Sequence, residues 1–157
     1  MDVPAFIALA TVCAPLVHPG TAHAIASTES ALSPHAIGVV SGSLERQPQN
    51  FEEALATAQS LREQGRNFSL GLAQINVHNL DRLGLTLADG FDGCKNLQAM
   101  QTVLTECFER AGSRNPSQES LRRALSCYYS GNFTTGFRHG YVSRVVSNAQ
   151  KTARAPP

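Results

Sequence analysis

Glu29 is the residue whose position most directly raises a chemical question. On the segment 22–32 the apolar stripe runs through Ala22, Ile25 and Ala26, and the next position on that stripe is Glu29. A solvated glutamate belongs on the opposite face. This one is aimed along the buried face, in the last turn before Ser33-Pro34. Partial removal from water disfavours the ionised carboxylate and raises its pKa, so the group can donate a proton at neutral pH. Protonating a glycosidic oxygen is one reaction that needs such an acid. A glutamate at the rim of the helix, or one in a structural ion pair, gives the same pattern.

Two further runs carry groups suited to a ligand. Ser69-Leu70-Gly71-Leu72-Ala73-Gln74-Ile75-Asn76 joins small residues and glycine to two amides. Backbone can approach a ligand closely at such a run, and Gln74 and Asn76 offer both donors and acceptors. A plain structural loop is the other reading. In Cys127-Tyr128-Tyr129-Ser130-Gly131-Asn132, paired tyrosines at a helix end can stack on sugar rings and donate hydroxyls, or close a core.

The elements that hold these residues are mostly helices. Residues 4–14 read as a first domain helix, with Pro4 in its first turn and Phe6, Leu9, Ala10 and Cys13 on one face. The same stretch resembles a signal peptide only superficially, because its start is acidic (Asp2) where such a segment is basic, so an export signal is not evident. Thr21 is the expected N-cap of the helix over 22–32. Residues 35–49, rich in Gly, Ser and β-branched types, predict a short hairpin or flap. Asn50 and Glu53 form a capping-box-like start for a helix over 51–64, with Gly65 at its end. Residues 67–76 are expected to be irregular or extended, and a short helix follows near 77–83. Asp92 caps the most regular helix, 93–111, whose stripe is Leu97, Met100, Val103, Leu104, Cys107, Phe108 and Ala111. Ser117 starts another to about Tyr129, and a last helix near 140–150 carries Tyr141, Val142, Val145 and Val146. One domain over 1–149 and a mobile tail over 150–157 follow. The pattern is mainly α with a small β element.

Composition removes several alternatives. Of 157 residues, 42% are hydrophobic and 16% charged, and 13 basic residues against 12 acidic ones leave a net charge of +1. Nucleic-acid binders concentrate basic residues, so no nucleic-acid partner is expected. No apolar run is long enough for a membrane span. The histidines and cysteines lack zinc-site spacing, and no Gly-rich phosphate loop is present. Four cysteines allow three pairings. Cys94 and Cys107 lie on one helix, about 20 Å apart along its axis, too far for a bond. Cys13–Cys107 with Cys94–Cys127 is preferred, because Cys13 and Cys107 both lie on buried stripes. Cys13–Cys94 with Cys107–Cys127, or four free thiols, are the alternatives. Bridges would fit an oxidising compartment.

Taken in chain order, Glu29-Ser30-Ala31-Leu32-Ser33-Pro34, then Gly71-Leu72-Ala73-Gln74-Ile75-Asn76, then Tyr128-Tyr129-Ser130-Gly131-Asn132 resemble the lytic transglycosylases of the soluble-transglycosylase, goose-lysozyme-like type. The family has Met where Ala73 stands and Asn where Tyr129 stands, and Tyr141 matches its last tyrosine. Within the family, the Cys13–Pro19 run, the segment 36–42 and the long interval between the first two motifs are similar to the small VirB-type enzymes of type IV secretion systems. The resemblance spans about residues 5–148. It implies a lysozyme-like α+β fold, a periplasmic location and a peptidoglycan glycan strand as substrate, with secretion-system components as further partners. It implies cleavage of the β-1,4 bond between N-acetylmuramic acid and N-acetylglucosamine, with a 1,6-anhydro product, by one glutamate acting first as acid and then as base. Glu29 carries that role over. Ser30, Ser69, Gln74, Asn76, Tyr128, Tyr129 and Tyr141 become substrate-groove residues, and no metal or cofactor is implied. A hydrolytic lysozyme, needing a second carboxylate about 5–9 Å away for which Glu45 on the flap is available, and a non-catalytic peptidoglycan-binding assembly module are the alternatives.

Overall fold

The computed structural model of the chain describes residues 1–112 and 117–154. In chain order the elements are α1 (Val3–Cys13), α2 (Pro19–Ser30), β1 (Ile37–Val39), α3 (Phe51–Glu63), β2 (Phe68–Leu70), β3 (Ile75–Asn76), α4 (Val77–Arg82), α5 (Leu87–Phe91), α6 (Gly93–Arg110), α7 (Gln118–Ser130), α8 (Thr135–Arg138) and α9 (Tyr141–Arg154). The result is mainly α with one small antiparallel sheet, as the pattern predicts.

The N-terminal stretch is a helix of the domain. The Asp2 carboxylate accepts from the Ala5 N–H and caps α1, which buries Phe6, Ala10 and Cys13. The start of α2 differs from expectation. Pro19 occupies its first turn, where a fixed φ is already helical, so the His18-Pro19-Gly20 run opens the helix. His18, not Thr21, is the cap, its Nδ1 accepting from the Gly20 N–H at 3.0 Å. The helix ends on Ala31 in the left-handed region, φ 51°.

The hairpin expected within 35–49 does not close on itself. Instead β1 pairs with β2 (Ile37 opposite Leu70, Gly38 opposite Ser69, Val39 opposite Phe68). Strand β2 in turn pairs with β3 (Ser69 opposite Asn76, Leu70 opposite Ile75), so the hairpin lies at 68–76. On the outer edge of β1 a side chain replaces the missing strand. The Gln47 carbonyl oxygen accepts from the Ile37 N–H at 2.9 Å, and its amide donates to the Ile37 carbonyl at 3.0 Å. That leaves the rest of the segment as a flap. Helices α5 and α8 are not legible in the sequence as separate elements, although the Thr86–Asp89 capping box of α5 is complete.

The core is one cluster. Phe6, Ile25, Phe68, Leu70, Leu72, Leu80, Leu97, Met100 and Tyr141 are all but fully buried in it. Helix α2 is packed between α1 and α9, while α6 packs on α1, α5 and α7. Truncating a filled position such as Leu97 to alanine costs about 2–5 kcal/mol. Two disulfides tie the helices, Cys13–Cys94 and Cys107–Cys127, with Cα separations of 5.2 and 5.7 Å. The preferred pairing, Cys13–Cys107 with Cys94–Cys127, is therefore overturned. The two ends of α6 face different neighbours: Cys94 in its first turn meets the end of α1, and Cys107 near its last turn meets α7. Burial on a stripe says nothing about which helix lies opposite. Residues 150–154 of the expected tail continue α9, and 155–157 lie outside the described residues. Among the described residues no helix is long and apolar enough to cross a membrane.

Candidate active site

The loop 71–74, between β2 and β3, is built around Asn96, a residue that none of the sequence motifs includes. Asn96 is buried on α6, and its amide donates to the carbonyls of Leu70 (2.9 Å) and Gly90 (2.8 Å). Its oxygen accepts from the Ala73 N–H at 2.9 Å. A buried amide with all these partners holds the loop in one conformation at little desolvation cost. Gly71 is needed there. Its φ is +79°, and a Cβ would collide with the Asn96 amide and the Gly90 carbonyl. The signal for Asn96 is the one that exposes Glu29: a polar residue one turn before Met100 on the apolar stripe of α6.

Gln74 sits at φ 51°, which turns its side chain back under β1. Its amide donates to the carbonyls of Ala36 and Gly71, both at 3.0 Å. Its oxygen lies 2.7 Å from where a Cβ on Gly38 would be, so a larger residue there would push the Gln74 amide from its present position. Asn76 caps α4 through its oxygen, accepting from the His78 N–H. Its amide donates to Asn67 Oδ1 (2.7 Å) and to Ser69 Oγ (3.3 Å).

Glu29 is placed opposite this loop by α2. The adjacent Ser30 hydroxyl bonds the Ala26 carbonyl within the helix and the Leu72 carbonyl at 2.7 Å. The helix end and the amide-bearing loop are thereby joined. Among the described residues no hydrogen bond or ion pair reaches the Glu29 carboxylate, which removes the structural ion-pair reading. Burial pushes its pKa up to about 8, and the Arg144 guanidinium on α9 partly opposes that rise. At neutral pH the group is therefore mostly a carboxylic acid with a free proton.

Three tyrosines close the far side. The Tyr128 hydroxyl donates to the Ala73 carbonyl at 2.8 Å. Tyr129 is half-exposed, stacks on Tyr141 with centroids 4.6 Å apart and planes 13° apart, and its hydroxyl shares a 3.0 Å hydrogen bond with His139 Nδ1. Tyr141 is buried, and its hydroxyl has no hydrogen-bond partner among the described residues. Burial first, and then the nearness of Glu29, hold the Tyr128 and Tyr141 hydroxyls well above the usual tyrosine range, so both stay protonated.

A groove of about 270 Å³ runs between these walls, lined by Glu29, Ser69, Gln74, Asn76, Tyr128 and Tyr129, with Gly38, Val39, Val40, Ile75, Asn79 and Val103 completing it. Six of the eight residues singled out from the sequence thus meet in one cleft. Ser30 and Tyr141 stand behind it, under Glu29 and Tyr129. Glu45 is exposed and lines a different cleft, between the flap and α3, so the groove contains one carboxylate among the described residues. No cluster of three or more His, Cys, Asp or Glu side chains among those residues is placed to hold a metal ion. The arrangement can protonate an oxygen held between Glu29 and the Gln74 loop, with an aromatic face for a ring beside it.

Comparison with known proteins gives the family. The transglycosylase SLT domain family matches residues 8–150. The type IV secretion system protein virB1 of Brucella abortus biovar 1 (strain 9-941) is 49% identical over 156 residues, covering 95% of this chain and 66% of that protein; the Brucella suis biovar 1 (strain 1330) protein of the same name gives the same figures. Protein virB1 of Agrobacterium fabrum (strain C58 / ATCC 33970) is 35% identical over 139 residues, 88% of this chain and 57% of that one. The chain thus spans just under two thirds of the length of the Brucella relatives. No solved structure gives a significant match. With a family match that takes in Glu29, the 71–74 loop and all three tyrosines, the chain belongs to the transglycosylase SLT domain family.

Proposed function

We propose that the protein is a peptidoglycan lytic transglycosylase that cuts the β-1,4 bond between N-acetylmuramic acid and N-acetylglucosamine with Glu29 as its acid and base. The observation that carries this reading is a partly buried, unpaired Glu29 with a pKa raised to about 8 in a groove that contains no other carboxylate among the described residues. The Glu29 carboxyl gives its proton to the glycosidic oxygen as the C1–O bond breaks, leaving an oxocarbenium-like sugar. The resulting carboxylate takes the proton of the muramic C6 hydroxyl as O6 bonds to C1. Glu29 ends protonated, no water is consumed, and the product carries a 1,6-anhydro end. The Gln74 loop and Tyr129 position the strand, while Ser30, Tyr141 and Asn96 hold Glu29, Tyr129 and the loop in place.

The open groove supports an enzyme over a silent wall-binding module. The lone carboxylate supports anhydro closure over hydrolysis, in which a second carboxylate ordinarily serves as base or nucleophile. The similarity to virB1 of Brucella supports a role in type IV secretion, opening the wall locally for the machine that crosses it. Two disulfides support action in the oxidising periplasm. Digestion of purified peptidoglycan tests the reading: the wild-type protein releases fragments, and the Glu29→Gln variant, equally folded, releases none. Equal release by both would overturn it.

A further inference from the structure

The α2–α9 seam opens into a second cleft, of about 420 Å³, that belongs to no part of the groove described above. Ser27 on α2 and Ser143, Arg144, Ser147, Asn148 and Lys151 on α9 line it, and none of its lining residues is acidic. Asn148 is spent on Thr28, to whose hydroxyl its amide donates at 2.8 Å. Among the described residues the hydroxyls of Ser27, Ser143 and Ser147 and the Lys151 ammonium have no protein partner. Arg144, Ser147 and Lys151 lie one helical turn apart along one face of α9. The cleft therefore offers two cations and three free hydroxyls to an anion with several acceptor oxygens.

Its place matters as much as its charge. It begins two residues before Glu29 on α2. Arg144 bridges the two clefts: it acts on the Glu29 charge, and its guanidinium donates to the His139 carbonyl at 3.1 Å, while the His139 ring bonds Tyr129 at the edge of the groove. In peptidoglycan the sugar whose C1 bond is cut carries a carboxylate-rich peptide on its lactyl ether. A strand with its muramic C1 held at Glu29 carries the root of that peptide on C3, two ring carbons from the cleavage point.

Resting on the function proposed above, we infer that the α2–α9 cleft binds the carboxylates of the peptide stem borne by the muramic residue at the cleavage point. The enzyme then prefers peptide-bearing strands to bare glycan, and the preference comes from α9 rather than from the groove.

Binding separates this inference from the function on which it rests. Fluorescently labelled strands with intact peptides, and the same strands stripped by an amidase, are titrated with the non-cleaving Glu29→Gln protein, alone and with Lys151→Glu or Ser147→Glu added. Both added substitutions are on the exposed face of α9, and each places a carboxylate in the cleft. The expected result is about three- to tenfold weaker binding of peptide-bearing strands, with bare strands unchanged. Equal losses on both strands, or no loss on either, would overturn the inference. A general acidic-protein site would appear as unchanged strand binding. Cleavage of peptide-bearing strands by the wild-type protein reports separately on the enzyme: its absence counts against the proposed function, while the binding ratio measured with the Glu29→Gln protein still decides the cleft.

Discussion

The hydroxyl of Ser30 donates to the carbonyl of Leu72 at 2.7 Å, so the residue beside the acid is bonded directly to the loop that carries Gln74. Forty-two residues separate the two in the chain. This bond fastens the end of α2, which carries Glu29, to the loop. Ser30→Ala removes it and leaves a carbonyl with one partner fewer, at a cost of about 1 kcal/mol of stability. A carboxyl displaced by even a fraction of an ångström loses its line to the glycosidic oxygen, and kcat falls about tenfold or more while KM changes little. Steady-state kinetics on soluble glycan strands, with thermal melts alongside, check both. A fall in stability with unchanged kcat would show that the bond holds the fold but not the acid.

Glu29 also imposes a pH dependence on stability. Between its ordinary value of 4.5 and the folded value of about 8, the folded protein holds a proton that the unfolded chain has released. Stability therefore falls as pH rises through that window and levels off above it. Glu29→Gln removes the dependence. Its gain over wild type is near zero at pH 4, grows through neutrality and reaches about 4 kcal/mol, or roughly 8–16 °C in melting temperature, by pH 8. A pH-independent difference would mean that the carboxyl is no more buried folded than unfolded.

Arg144 opposes the rise in the Glu29 pKa, so its removal has a definite sign. In the proposed reaction Glu29 must carry its proton to begin, so activity is expected to decline as pH passes about 8. In Arg144→Gln the descending limb moves to higher pH, because the carboxyl loses the cation that favoured its ionised form. A pH–rate profile of kcat/KM at constant ionic strength is the measurement. A limb that stays in place, or moves down, would contradict the coupling.

The two disulfides divide their effects. Cys13–Cys94 closes 81 residues and Cys107–Cys127 closes 20. In the chain-entropy account these are worth about 4.5 and 3.3 kcal/mol. Replacing Cys13 and Cys94 by serine lowers the melting temperature more than replacing Cys107 and Cys127. The second pair costs relatively more activity, because Cys127 adjoins Tyr128, whose hydroxyl holds the Ala73 carbonyl. Equal activity losses in both pairs would count against that division.

Three of the longer helices are legible in the sequence to within a residue or two through their caps: Asn50 and Asp92 accept from the N–H groups of Glu53 and Lys95, and Ser117 from that of Ser120. Glu29 follows from a rule that is local in sequence, a charge on an apolar stripe. Asn96 obeys the same rule, but asparagine carries no charge to draw the eye, and its partners at Leu70, Ala73 and Gly90 are distant or on other elements. The strand pairing and the cysteine partners are not legible for a related reason. Which helix faces which end of α6, and that Gln47 satisfies the edge of β1, are consequences of packing in three dimensions. The α2–α9 cleft is of that kind too, since Ser27 and Lys151 meet only because α9 returns to α2.

The most direct test of the central claim is mass spectrometry of the muropeptides released from purified peptidoglycan by the wild-type protein and by Glu29→Gln. One carboxyl acting as both acid and base predicts 1,6-anhydromuramic ends from the wild type and no release from the variant. Reducing ends in place of anhydro ends would show that water, and not the C6 hydroxyl, attacks C1, and the single-glutamate account would be wrong.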